Sequence, residues 1–311
     1  MSARLIQLSG VIIDMIYSVD AVPAPGTEAV VYGSAIAAGG GFNAMVAARR
    51  AGLDVDYGGT LGSGAFAGIA EAALKDESIG ILRPRLDGQD QGCCTVLIDR
   101  DGERSFIASS GADGVVTDAD LARIVPGAGD WLLLSGYALH YPGSRDALTR
   151  WLQAQAGRGL DLVFDPCPLV AELPAEAVSA ALGAAAWVTA NAEEARVLTG
   201  LSAPVEAACK LAEGRKGGAL VRAGAEGCWL ALPGGAVSHL PGHKVAAVDT
   251  NGAGDAHTGT FIALMAQGWA AAEAARAANI SAALSTTRRG PSTAPAWDEV
   301  QSVLERAEAP A

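Results

Sequence analysis

Short apolar runs alternate with longer Ala/Leu-rich stretches along most of the chain. Residues 4–8, 55–58, 131–134, 160–164, 187–189 and 219–221 are nearly continuous in hydrophobic side chains and of strand length. Runs of that kind are expected for strands covered on both faces. Between them, residues 42–51, 66–75, 144–155 and 174–182 repeat apolar positions at helical spacing, the first closed by Gly52. Strand and helix in succession imply an α/β fold with a mostly parallel central sheet, helices packing on it in three layers.

Two stretches break the alternation. Residues 11–37 carry Pro23, Pro25, Gly26 and Gly33 between β-rich flanks. Residues 91–110 read as a hairpin, with strands at 93–98 and 103–108 around Asp99-Arg100-Asp101-Gly102. The Asp-Gly pair supplies the positive φ such a turn needs. The expected organisation is therefore a main domain of residues 1–10, 38–86 and 114–311. Residues 11–37 and 87–113 form a small β-lid over a substrate cleft.

Composition narrows the partners. Half of the 311 residues are apolar and 18% are charged, enough for a large core and too few charges for wholesale disorder. The net charge is −12, with 22 basic against 34 acidic residues and no Lys/Arg-rich block. Nucleic acid and anionic membranes are thereby disfavoured as partners, because both demand concentrated positive charge. Five cysteines without a C-x-x-C spacing fit neither a disulfide framework nor a zinc knuckle. The first residues lack a signal-peptide pattern, and a cytoplasmic protein is expected.

The chemistry concentrates in Asp249-Thr250-Asn251-Gly252-Ala253-Gly254-Asp255. An apolar run, 245–248, precedes it, and Thr258, Phe261, Ile262, Leu264 and Met265 follow at helical spacing. The expected context is strand, glycine-rich turn and helix N-terminus. First-turn N–H groups lack internal partners, and glycines let a phosphate approach them without Cβ interference. A carboxylate at the same helix start can accept the proton of an attacking hydroxyl. Asp at a helix start is also a common cap, and that reading stands beside the catalytic one.

With the upstream Gly39-Gly40-Gly41-Phe42-Asn43, the chain resembles the ribokinase (PfkB) family of carbohydrate and nucleoside kinases. The two motifs lie about 210 residues apart and in the family's order. Gly102-Glu103-Arg104, Asp165-Pro166, Asn191-Ala192-Glu193-Glu194-Ala195 and Gly224-Ala225-Glu226-Gly227 extend the likeness over nearly the whole chain. The resemblance implies a ribokinase-like α/β/α domain with a β-lid, and a cytoplasmic, ATP- and Mg²⁺-dependent kinase. Its acceptor would be a primary hydroxyl of a small sugar, or alternatively of a nucleoside's ribose.

Residue by residue, the resemblance makes Asp255 the base and Gly252, Ala253 and Gly254 the anion hole. Asp14, Gly40, Gly41 and Asn43 would hold substrate hydroxyls, with Asp249 beside the substrate or a loop for a monovalent cation such as K⁺. Asn191 and Glu194 would lie by the phosphates, Glu194 also by Mg²⁺. Arg222, Gly224, Gly227 and Asn279 would belong to the nucleotide site. The chain departs from the family's pattern in three places: Gly62-Ser63-Gly64 replaces an acidic segment, His257 an aromatic, and the first glycine motif lacks a lysine. Lid strands with apolar edges would pair two copies into a dimer.

Other chemistries fit poorly. Gly62, Gly64 and Gly68 partly match a dinucleotide fingerprint, but Asp87 does not end a clean strand, so a tight turn explains them better. No G-x-x-x-x-G-K-[ST] and no G-x-S-x-G occurs. Pro241-Gly242 separates His239 from His243, so they cannot pair on a helix and are expected in a surface loop. Ser135 and His140 lack an orienting Asp, and their segment is expected at a strand end over the cleft. Asp118 and Asp120 read as helix-start residues after Thr117. A sugar sensor without turnover and an NAD(P) oxidoreductase remain as rivals.

Overall fold

The computed structural model describes residues 3–308. Thirteen strands are assigned among them. They are β1 (Arg4–Gln7), β2 (Val11–Val19), β3 (Val31–Gly40), β4 (Asp54–Tyr57), β5 (Gly80–Ile81), β6 (Cys93–Ile98) and β7 (Arg104–Ser109). The second half of the chain adds β8 (Trp131–Ser135), β9 (Asp161–Asp165), β10 (Trp187–Asn191), β11 (Gly218–Arg222), β12 (Gly227–Ala231) and β13 (Val237–Pro241).

Nine strands form one sheet in the order β13-β12-β11-β10-β9-β8-β1-β4-β5. It is parallel from β11 to β5, and β12 and β13 turn back antiparallel. Adjacent residues of one strand feed opposite cores, as period-two geometry requires. Leu5, Val55, Leu133 and Leu220 pack with helices Gly41–Arg50, Ala65–Asp76, Ala253–Ala266 and Ala271–Ser285. Ile6, Leu132, Leu134 and Val221 pack with helices Pro142–Gln155, Ala175–Ala184 and Pro204–Ala212. Those two cores make the three-layer α/β arrangement. The remaining strands form a separate small sheet, β3-β2-β6-β7, in which β2 and β6 are parallel and the outer pairs antiparallel.

Several local expectations meet a clear outcome. The Asp99 turn closes the β6–β7 hairpin, with Gly102 at φ 83° and its N–H donated to the Asp99 carbonyl. Thr117 and Asp120 cap helix Asp118–Leu121 reciprocally. Residues 245–248, expected as a strand, are irregular. Val248 is exposed, and the N–H groups of Val248 and Asp249 both turn to the Thr286 carbonyl instead of to a neighbouring strand. His239, expected in a loop, is on β13, where its ring lies over Trp229. Its Nε2 meets the Glu226 carbonyl oxygen at 2.9 Å. Gly62 and Gly64 are glycine because of close packing: a Cβ would overlap the Gln89 carbonyl at the first and the Asp90 carboxylate at the second. That carboxylate accepts from the N–H groups of Phe66 and Ala67 and so caps helix Ala65–Asp76.

Register at the carboxyl end of the parallel strands matters most for function. Ser135 pairs with Asp165 and Asn191 with Arg222, so polar residues arrive side by side where the sheet ends. The strand order also reverses direction between β1 and β8, the place where open α/β sheets leave a crevice. Above it, helices Gly41–Arg50 and Ala253–Ala266 cross at backbone contact. A Cβ on Gly259 would overlap the carbonyl oxygen of Ala44. Gly259→Ala is expected to cost about 1–3 kcal/mol through this overpacking. Chemical denaturation would show a lowered midpoint, whereas Gly68→Ala, which meets only open space, would not.

Candidate active site

The glycines of the first motif each have a steric reason. Gly39 leaves room for the Asp14 carboxylate, which a Cβ would overlap. Gly40 has φ 63° and caps helix Gly41–Arg50, and the Gly41 N–H donates to the Gly10 carbonyl at 2.9 Å. The Gly41 N–H is therefore already engaged. Asn43, in the first turn, is buried. Its Nδ2 donates to Asp255 Oδ2 at 3.1 Å, and its Oδ1 accepts from Ser292 Oγ at 2.8 Å.

At the second motif, Gly252 takes φ 74° and begins helix Ala253–Ala266 without a side-chain cap. Ala253 N–H turns back to the Thr250 carbonyl at 3.3 Å. Among the described residues, the N–H groups of Gly254 and Asp255 meet no acceptor. They form a small unfilled donor set at the positive end of the helix dipole. Asp255 does not cap this helix with its side chain; its carboxylate faces Asn43 instead.

Beneath this turn sits one guanidinium among several carboxylates. Arg222 Nη1 donates to Asp165 Oδ2 (3.1 Å), Thr189 Oγ1 (2.6 Å) and Thr258 Oγ1 (3.0 Å). Its Nη2 lies 3.6 Å from Glu194 Oε2. A Cβ on Gly254 would come within 3.5 Å of the same guanidinium. Burial opposes the charge, but Asp165, Glu194 and Asp255 hold Arg222 protonated. Arg222 thus supports the turn from below.

Crowding shows in the proton affinities. Burial first, then repulsion from Asp165, pushes Asp255 up to about 7, against the opposing pull of Asn43 and Arg222. Burial, then the charge of Asp165, raises Glu194 to about 7. Asp14 is raised to about 6 by burial. A carboxylate poised near neutrality suits a general base.

Other expected residues are placed as follows. Asn191 and Glu194 cap helix Ala192–Thr199 reciprocally, Glu194 accepting from the Asn191 N–H at 2.7 Å and Asn191 from the Glu194 N–H at 2.8 Å. Asp249 accepts from the Asn251 and Gly290 N–H groups and pairs with Arg104 of the small sheet. Gly224 and Gly227 take positive φ, and a Cβ at Gly227 would overlap the Leu240 carbonyl. Asn279 Nδ2 donates to the carbonyls of Leu240 and Pro241, beside a cavity of about 560 Å³ whose lining includes Gly242, His243, Ile280 and Val303. His257 is buried next to Asn279, and burial, then the charge of Arg222, pushes its pKa down to about 3, so it packs as a neutral core side chain. Sequence reasoning missed Ser292, at φ 58°, and the pairs Thr189–Thr258 and Arg104–Asp249, all formed between residues distant in sequence.

A model of the pfkB family carbohydrate kinases matches residues 4–298. The chain belongs to that family. The Escherichia coli K12 protein named uncharacterized sugar kinase YegV is 29% identical over 93% of this chain and 90% of its own. A fructokinase of Klebsiella pneumoniae is 32% identical over 84% of this chain and 90% of its own. Among solved structures, a ribokinase of Thermotoga maritima superposes with a TM-score of 0.80 over 97% of this chain and 99% of that one, at 23% identity. The pfkB-family chain is thus a phosphotransferase with a ribokinase-like fold. Among its described residues, no helix is long and apolar enough to cross a membrane.

A base is active when deprotonated, so with Asp255 in the expected role of base, activity would be lost as pH falls through its raised value. The kcat/KM for the acceptor is expected to decline below about pH 7. Asn43→Ala removes a donor that lowers that value, and should move the limb to higher pH. A rate unchanged down to pH 5 would contradict the assignment.

Proposed function

We propose that this pfkB-family chain transfers the γ-phosphoryl group of ATP to a primary hydroxyl of a small sugar moiety, with Asp255 as general base. The observation that carries this reading is the meeting of Asp255, Asn43 and the unfilled N–H groups of Gly254 and Asp255 at one helix start. Asp14 and Asn43 hold acceptor hydroxyls, since their side chains offer fixed acceptors and Asn43 a donor. Asp255 accepts the hydroxyl proton as the oxygen attacks, and the turn Gly252-Ala253-Gly254 holds the equatorial phosphoryl oxygens.

The nucleotide extends from that turn past Gly224 and Gly227 toward Asn279 and the adjoining cavity. Mg²⁺ fits the charge present: Asp165, Glu194 and Asp255 share the one guanidinium of Arg222, leaving negative charge in excess. No group of three or more described His, Cys, Asp or Glu side chains could cage a metal alone. Such a sparse set suits an ion held largely by phosphate and water, near Glu194, where it neutralises phosphate charge. A monovalent cation at Asp249 fits less well, because Arg104 already balances that carboxylate. Closure of the small sheet through Arg104 would exclude water that otherwise wastes ATP.

Edge strands β3 and β7 leave Val31, Tyr32, Ile36 and Ile107 exposed. Pairing of two copies through the small sheet would cover them; sedimentation should then show a dimer, and a strict monomer at micromolar concentration would exclude it.

The decisive experiment is ADP release with ATP·Mg²⁺ over a panel of sugars and nucleosides, wild type against Asp255→Asn. The variant should lose about 10²–10⁴-fold in kcat while still binding nucleotide. Its melting temperature should not fall, because the wild-type carboxylate is held in a site that disfavours its charge. Near-normal turnover in Asp255→Asn would exclude the base role.

A further inference from the structure

The faces of the small sheet can be assigned from its register. Asp14 pairs with Ala37 on β3 and with Cys94 on β6, and Cys94 pairs with Ala108 on β7. Directly paired residues share a face, so these four lie on one side. The next row on that side is Ala35, Ile16, Val96 and Phe106, and the row after ends in Arg104. Arg104 reaches across to Asp249 on the main domain. The face carrying Asp14 and Phe106 therefore looks into the cleft, and Ile36 and Ile107 lie on the opposite face.

Between the Asp14 row and the row of Ser18 and Arg104, this wall carries only Ala35, Ile16, Val96 and Phe106, with no polar side chain. Phe106 is 59% exposed on it, although the aromatic content of the chain is low. The row of Ile16, Val96 and Phe106 stands roughly 7–12 Å from Asp14, two residues along and up to two strands across. On the main-domain side, Tyr137 opens the short helix Gly136–His140 at the end of β8 and is 41% exposed. It is near enough to Asp255 to feel its charge. A free sugar has hydroxyls around its whole ring and would leave some of them unpaired against this apolar row. A sugar with a flat apolar group at that distance would leave none.

We propose that the acceptor is a nucleoside, whose sugar hydroxyls meet Asp14 and Asn43 and whose base lies against Ile16 and Phe106. This rests on the kinase reading above and names its substrate class. Bases are flat and apolar on their faces, and offset stacking on an aromatic ring is favourable without sequence-like readout.

Binding and turnover separate the two readings. Calorimetry with ADP saturating the nucleotide end would compare adenosine, inosine, cytidine and uridine with ribose and fructose. At least one nucleoside should bind about tenfold or more tightly than either sugar. Phe106→Ala should remove that advantage, and Phe106→Tyr should keep it. If ribose or fructose binds as tightly as every nucleoside, or if the advantage survives Phe106→Ala, the nucleoside assignment is overturned. ADP release on the same panel with ATP tests the kinase reading alone: tight nucleoside binding without turnover would sink that reading and leave the base-binding wall standing.

Discussion

The close crossing of helices Gly41–Arg50 and Ala253–Ala266 is the constraint on which the site depends. Gly259 lets backbone touch backbone at Ala44, and a single methyl would separate them. Asn43 lies one residue before Ala44 and Asp255 one turn before Gly259, so the contact sets how far apart those side chains stand. Their hydrogen bond joins residues 212 apart in sequence. Ser292 fixes the other end of the Asn43 amide, and the orientation of that amide decides that its donor, not its acceptor, meets the carboxylate.

The second organising fact is charge. Asp165, Glu194 and Asp255 surround one guanidinium in a protein that is already acidic, and Asp14 adds a further negative charge near Asp255. For Asp14, Glu194 and Asp255 the folded pKa lies above the unfolded one. Folding therefore takes up protons, and stability declines as pH rises from the ordinary carboxylate range toward about 6 or 7. A core designed only for stability would not keep such a cluster. In the proposed phosphoryl-transfer reading the cluster has a use: the carboxylates would attract a metal-bound nucleotide, and one of them would accept a proton near neutral pH.

Much of this was legible in the sequence, and the exceptions have physical causes. Strands such as β1, β8 and β11 were readable because burial on both faces makes them continuously apolar. The Asp99 hairpin and the Thr117 cap were readable because turn and cap chemistry is local. Residues 245–248 misled because an apolar run says nothing of its hydrogen-bond partner, which proved to be the distant Thr286 carbonyl. Asn191 and Glu194 were assigned by resemblance, yet their three-residue spacing also carries the capping-box pattern that the structure displays. Ser292, Arg104–Asp249 and Thr189–Thr258 had no local signature, since each contact is made by the fold. The cleft-facing role of Phe106 was legible only once the register of β6 and β7 was known.

The central claim is that the hydroxyl to be phosphorylated meets Asp255 while the transferred group rests on the turn at Gly252-Ala253-Gly254. A crystal structure with a non-hydrolysable ATP analogue, Mg²⁺ and an acceptor that the enzyme phosphorylates, its hydroxyl free, measures this directly. The account predicts the acceptor oxygen within about 3.2 Å of the Asp255 carboxylate, with γ-phosphate oxygens on the N–H groups of that turn. A γ-phosphate bound elsewhere, or an acceptor hydroxyl held away from Asp255 in the closed complex, would contradict it.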